Sequence, residues 1–585
     1  MPLAARGSRA KTIALLACAA LLAIYALTAW LAVRTKSPTY DEPLHELGAM
    51  TALRGDYRLE FDHPPLWKYW AALPNIREAI SPEPAALWEK VLWYPPSQYP
   101  LMLHVFYHDP LSPQVDRLIA RSRIMMVLLA AALGAVIGVW AFNLAGAAAA
   151  LVATFLFAFD PGFLAHGPLV KNDVVIALLM TALGLVIYEQ GRSPKWWRVV
   201  VAGAISGAAC SCKLSGVLLP IIAVLLLIVN GFLWAEPKRL TRIAETVYSC
   251  AIMAGVAAGV IWASYGFRFS VTPDPQLRID VSRALTALPP GQSPPLAWLL
   301  GGWMLEHHLL PEAWLNGLML LSVESARRPS FLLGQFSDSG WRSFYLVAAA
   351  VKTPVATLAA IALACVVFVR RRAWTNVWPC ACLIIPPLVY VLAAIATPAT
   401  VGIRHLLPVY PYLFIGCGMV VATVWNARSA RGVIWVLAIG LLIESLSTFP
   451  NYIPFFNIFA GGSRGGLRLL SDSNLDWGQD LPLLAAWQRQ HPDQKLYLCY
   501  FGTADPRHYG IQYANLPGGY PLGGPPQAPD SPGVIAISAT NLIGLYSTPE
   551  ADVRGYYARL REAKPMDVLG GSIYLFEWPL PKTSN

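Results

Sequence analysis

Residues 12–42 read TIALLACAALLAIYALTAWLAVRTKSPTYDE, and this stretch decides the fold. The apolar part, Thr12 to Val33, matches the run of about 20 residues that a spanning helix needs. Arg6, Arg9 and Lys11 precede it like the charged start of a signal peptide, but a signal core is only about 7–15 residues long. The reading is an uncleaved anchor with its N-terminus in the cytoplasm. Just past it stand two acids, Asp41 and Glu42, in Tyr40-Asp41-Glu42-Pro43. Charges at a membrane surface are costly to desolvate, which makes them candidates for catalysis, ion handling or substrate contact. Simple exposure in headgroup water beside Arg34 and Lys36 is the equal alternative on spacing alone.

Composition agrees with a membrane chain. Of 585 residues, 56% are hydrophobic and 13% charged, with a mean hydropathy of +0.48, far too apolar for a soluble globular protein. The formal charge of +10 falls in short clusters between apolar runs, a pattern of topology that excludes a nucleic-acid footprint. Nine cysteines, eight of them inside apolar segments, show no C-x-x-C or Cys/His metal spacing and read as small core residues.

Ten further apolar runs, near 124–142, 147–159, 174–187, 199–212, 217–234, 243–265, 344–369, 377–396, 406–425 and 433–446, give eleven expected spans with the first. Walking across the membrane from a cytoplasmic N-terminus puts the Lys/Arg-rich loops at 192–198, 238–242, 370–372 and 428–431 inside. Arg34, Lys36, Arg117, Arg121 and Arg123 break that rule; exposure is the simpler reading for Arg34 and Lys36. The long segments 34–122, 268–342 and 450–585 then lie outside. The first carries Trp67, Trp70, Trp88 and Trp93, suited to short helices lying in the interface. In the tail, 495–501, 534–538 and 573–576 read as short buried strands and 481–490 as a helix. The expected architecture is mainly α: a polytopic domain over 1–449 and an extracytoplasmic α/β domain over 450–585.

Several short motifs recur beside the acids: Asp62-His63-Pro64-Pro65-Leu66, Asp160-Pro161, Lys171-Asn172-Asp173, Gly207 to Lys213, Leu333-Gly334-Gln335 with Gly340-Trp341, Lys352-Thr353-Pro354, and Gly402-Ile403-Arg404-His405 with Pro408. With the Asp-Glu pair just after the first span, they resemble the protein O-mannosyltransferase-like superfamily of GT-C membrane glycosyltransferases, which includes bacterial enzymes that transfer sugars to lipid A. The resemblance covers about the first 425 residues, each motif alone being weak.

The resemblance implies transfer of one sugar from a polyprenyl-phosphate donor to an acceptor hydroxyl on the outer face, usually with inversion. Asp41 would be the general base, since a hydroxyl is a poor nucleophile until a carboxylate takes its proton. Glu42 would orient Asp41 or the acceptor. The leaving phosphate calls for positive charge. Lys213 and Arg404 are the first candidates and Lys352 and His405 the second, all near expected outer ends of spans. Snorkelling to headgroups is the alternative for each lysine, and hydrogen-bonded packing for His405. His63 and Asp173 are candidates for substrate contact; a shaped turn before Pro64 and a helix N-terminal acid are their plainer readings.

No metal is required by this scheme, although oligosaccharyl transferases of related architecture use a divalent ion. Glu306-His307-His308 with Glu312 lacks zincin spacing. Residues 472–480 open like a calcium loop, but Trp477 takes the usual Gly position and Leu483 the usual Glu, so a solvent loop capping a helix near Asp480 is expected. The expected partners are the membrane, a polyprenyl-phosphate sugar donor and a lipid, glycan or protein acceptor, without nucleic acid, in a bacterial inner membrane. A lipid or solute transporter and a non-catalytic glycan-binding assembly subunit are the competing readings. The transporter lacks its matched halves here.

Overall fold

A computed structural model describes residues 2–78, 98–108, 114–233, 239–288, 293–324, 328–372, 375–398, 400–547 and 552–581. Trp88, Trp93 and Lys238 lie outside the described residues. The chain is mainly helical. Among the described residues, eight helices are long and apolar enough to cross a membrane, beginning with Lys11–Val33 and ending with Arg428–Thr448. A ninth span results if Phe344–Lys352 and Val355–Arg370, bent by 112°, count as one. The bend falls at Thr353-Pro354, where the proline ring excludes the helical continuation of the residue before it.

Two more apolar helices, Ala147–Ala158 and Trp196–Cys210, sit where the sequence suggested spans. At 12 and 15 residues they fall short of the length that crosses a bilayer unaided. Among the described residues, eight of the eleven expected spans, or nine with the bent pair counted as one, have the length and composition of a membrane crossing, and these two short helices occupy the remaining expected positions. Close packing among the helices depends on small residues: a Cβ on Gly134 would lie 2.4 Å from Leu22 and 2.6 Å from Phe157.

Short helices Glu42–Ala52 and Leu66–Ala72 follow the first span and pack on the long helix Gln114–Ala145. A small hairpin pairs β1 (Ser330–Leu332) with β2 (Gln335–Ser337). The tail holds a five-stranded sheet of β3 (Leu496–Cys499), β4 (Ala514–Asn515), β5 (Gly533–Ser538), β6 (Asp567–Leu569) and β7 (Ile573–Trp578), in the order β4-β3-β5-β7-β6. β3 runs parallel to β4 and β5, whereas β7 is antiparallel to β5 and β6. The three central strands, β3, β5 and β7, are almost fully buried apolar runs, as expected of strands covered on both faces, whereas the edge strand β6 is part-exposed.

The tail is joined to the helices by one apolar core that contains Phe163, Ile403 and Leu407 together with Leu475, Trp477 and Tyr497. Backbone bonds stitch the first loop to the tail: Ser37 N donates to Gln479 O at 3.1 Å and Tyr40 N to Trp477 O at 2.9 Å. The segment 472–480, expected as a solvent loop, is instead buried, with Asp472, Asp476 and Asp480 each 5% exposed or less. Asp480 does not cap helix Leu481–Gln490 with its side chain; it pairs with Lys36 and accepts from Ser572. Lys36 is correspondingly buried in that pair rather than loosely exposed.

Candidate active site

The helix Glu42–Ala52 begins directly after Asp41, with Pro43 in its first turn, where a missing N–H costs nothing. This start separates the two acids. Glu42 points into the protein: Oε1 and Oε2 accept from Arg123 Nε and Nη2 at 2.9 and 2.5 Å, and the same oxygens accept from Val170 N and Thr39 N at 2.9 and 2.8 Å. Arg123 spends its remaining donors on the carbonyls of Val33, Lys36 and Ser37. The rule-breaking Arg123 thus serves an internal carboxylate.

Asp41 faces a cleft of about 420 Å³ between the helical part and the tail. Tyr40, Asp41, Arg328 and Arg404 line it on one side, and Asp472, Trp477, Phe501 and Tyr546 on the other. Lys171 forms an ion pair with Asp41. Burial alone would raise the Asp41 carboxyl, but the charges of Lys171, His45 and Arg404 outweigh it and hold the group below its ordinary value.

Arg404 reaches the cleft from the turn Ile403–Val409, with Nη1 3.1 Å from Asp173 and Nε 3.2 Å from Ser473 Oγ. Lys213 Nζ contacts the other Asp173 oxygen at 2.5 Å. Asp173 therefore gathers the two leading cations, which the sequence placed on different spans. Trp477 completes the group: its ring lies 4.6 Å from the Arg404 guanidinium and 5.1 Å from Lys171 Nζ, within cation–π range.

The remaining candidates divide. Lys352 turns away from the cleft and donates to the carbonyls of Ile453 and Asn474 at 2.8 and 2.6 Å, over the Phe456 ring. His405 lies against Tyr345, with ring centroids 6.5 Å apart, and does not line the cleft. His63 sits one layer behind Asp41, edge-on to His45. Among the described residues, neither Glu306-His307-His308 nor Asp472-Asp476-Asp480 brings three metal-type ligands together.

Sequence reasoning gave no separate role to Lys171, Trp477 or Arg328. Lys171 carried a signal as part of Lys171-Asn172-Asp173. Trp477 did not, because its value depends on a tail that folds back onto the helices and meets Lys171, 306 residues earlier.

Comparison with known proteins gives one match in sequence and several loose ones in structure. Residues 114–272 match the family model described as dolichyl-phosphate-mannose-protein mannosyltransferase. No curated protein sequence matches the chain. A crystal structure of the Archaeoglobus fulgidus oligosaccharyltransferase in complex with Zn and sulfate aligns at 12% identity and a TM-score of 0.39, covering 74% of this chain and 52% of that one. The chain thus spans about half the length of that relative. Cupriavidus metallidurans ArnT in the apo state aligns at 13% identity and a TM-score of 0.31, over 95% of this chain and 97% of that one. The same protein bound to undecaprenyl phosphate scores 0.30. These scores are too low to carry an argument about the site. Similarity to the mannosyltransferase family thus extends over residues 114–272 of the 585-residue chain.

Proposed function

We propose that this protein is a membrane glycosyltransferase that moves one sugar from a polyprenyl-phosphate donor to an acceptor hydroxyl, with inversion and with Asp41 as general base. The observation that carries the reading is the shared cleft: a carboxylate, Asp41, and a guanidinium, Arg404, line one cavity large enough for a sugar. Direct displacement needs both. The carboxylate takes the proton of the attacking hydroxyl as the new bond to the anomeric carbon forms, and the cation stabilises the phosphate that leaves with the bonding pair.

Arg404 offers a fork to phosphate oxygens, and Lys213 adds a point charge beside it. Asp173 keeps both poised until a phosphate competes for them. Lys171 stands between the two ends, so a phosphate that draws it off frees Asp41 to accept a proton. Glu42 is a positioning residue in this scheme, since Arg123 and Val170 consume its oxygens. Lys352 braces the tail segment, and His405 remains a secondary neighbour of the phosphate end. The reaction takes place at the outer face of a bacterial inner membrane, with the N-terminus in the cytoplasm and the tail outside, and the acceptor is a lipid, a glycan or a protein.

The test is transfer measured in membranes containing the intact chain with a panel of radiolabelled polyprenyl-phosphate sugars. Transfer from at least one donor is expected; failure with every donor favours a transporter or an assembly subunit.

A further inference from the structure

Behind Asp41, the first loop brings together His45, Glu60 and His63, each offering one ligand-type atom within 4.8 Å of the other two. His45 comes from helix Glu42–Ala52, Glu60 from a turn, and His63 from the residue before Pro64. Glu60 holds a left-handed backbone, φ 50°, that a non-glycine residue adopts at a cost. Gln98 fixes it there by accepting the Glu60 N–H at 2.8 Å. His45 and Glu60 are 1% and 4% exposed, and His63 is half-buried.

Close polar contacts already hold this cluster: His45 Nδ1 lies 2.6 Å from Glu60 Oε1, His63 Nδ1 3.1 Å from Asp62 Oδ2, and Lys68 Nζ 3.0 Å from Glu60 Oε2. Two imidazoles and a carboxylate, two of the three residues fully buried, therefore converge on one point from three separate turns of the first loop. One cation at that point takes a lone pair from each of the three.

We infer that His45, Glu60 and His63 bind one divalent transition-metal ion of the zinc type. Two imidazoles and a carboxylate are ligands that zinc accepts, whereas an oxygen-only shell would suit calcium or magnesium. Asp62, beside His63, is the nearest carboxylate for a fourth position. A tetrahedral ion with bonds of about 2.0–2.1 Å draws its ligand atoms to about 3.3 Å apart, within reach of side-chain rotation from the present spacing. Two cations border the site. Lys68 Nζ, 3.0 Å from Glu60 Oε2, gives up that contact when the ion binds, and Lys171 Nζ stands 3.3 Å from His45 Nε2 on the far side of the ring.

The ion has a consequence for Asp41. His45 N donates to Asp41 O at 2.9 Å, so a metal on the His45 ring pins the helical turn that carries the carboxylate. Its role is positioning, and the binding claim stands whether or not the glycosyltransferase reading holds.

The test uses the full chain in detergent, without a histidine tag, stripped with chelator and titrated with Zn²⁺ or Co²⁺. The expected result is about one equivalent retained by elemental analysis, with the intense visible absorption of tetrahedral Co²⁺. His63→Ala and Glu60→Gln should each weaken retention at least tenfold, whereas His308→Ala, at an exposed histidine, leaves it unchanged. Absence of retained metal in the intact chain overturns the inference without any variant having to fold. Equal stoichiometry and spectrum in Glu60→Gln and His63→Ala overturn it as well.

Discussion

Lys36 Nζ lies 2.5 Å from Asp480 Oδ1, a buried ion pair that fastens the loop after the first span to the tail across 444 residues of chain. Lys36 also donates to Asn451, and Asp480 accepts from Ser572 at 2.6 Å, so the pair is the hub of a small network. Breaking such a pair from one side strands a buried charge, at about 3–5 kcal/mol. Asp480→Asn and Lys36→Met should each lower the unfolding temperature in detergent and expose the tail to protease. The double variant Lys36→Met/Asp480→Leu should recover part of the loss, because it leaves no charge unpaired. Unchanged protease resistance in both single variants would show that the pair does not hold the tail in place.

The neighbouring acids should fail differently. Glu42→Gln removes the charge that Arg123 is buried against, with a loss of folded protein of about 3–5 kcal/mol. Asp41→Asn breaks the Lys171 pair, which is less buried than Arg123–Glu42, and should lower the unfolding temperature less than Glu42→Gln does. Size-exclusion profiles of the two variants in detergent separate them; equal stability would contradict the division between a structural Glu42 and a cleft-facing Asp41.

Trp477 is placed by the tail between Arg404 and Lys171, where each cation–π contact is worth roughly 0.5–2 kcal/mol. Trp477→Ala should weaken donor use by about tenfold or more, seen as a raised KM for the polyprenyl-phosphate sugar. Lys352→Met, whose parent side chain holds two carbonyls away from the cleft, should reduce stability and leave KM for the donor unaltered. The opposite pattern, with KM moved by Lys352→Met alone, would relocate the phosphate site.

Asp476 gives a pH dependence to the tail. Burial raises its carboxyl to about 7, and the N–H groups of Thr540 and Gly478 only partly offset that rise. A carboxyl raised in the folded state binds its proton more tightly than the unfolded chain does. Its contribution to stability is therefore full below the ordinary value near 3.8 and is lost as pH rises through about 7. Unfolding temperature measured from pH 5.5 to pH 8 should fall across that interval, and Asp476→Asn should flatten the slope. A slope equally steep in the variant would assign it to another group.

Much of the architecture was legible because hydrophobic length and charge are local properties. The apolar runs at 243–265 and 377–396 correspond to the spans Ile243–Ser264 and Val377–Ala396, and the tail helix falls at Leu481–Gln490 as read. The short helices Ala147–Ala158 and Trp196–Cys210 show the limit of that reading: composition marks them apolar, but neither has the length of a span by itself. For the site, the motifs located Asp41, Asp173, Lys213 and Arg404, yet not their pairing, which joins residues up to 231 positions apart. Charge alone could not separate Lys352, spent on backbone carbonyls, from Arg404. Nor could it foresee that residues 472–480, polar enough for a solvent loop, are buried because each aspartate finds a partner on another element.

The proposed role of Asp41 as acceptor of the hydroxyl proton is decided by the rate of sugar transfer in membranes for Asp41→Asn against the intact chain. With the fold verified by unfolding temperature, loss of a general base lowers the rate by about 10²–10⁴-fold. KM for the donor should stay nearly constant, because the phosphate end is held by other residues. Transfer at the full rate by a folded Asp41→Asn protein would contradict the account.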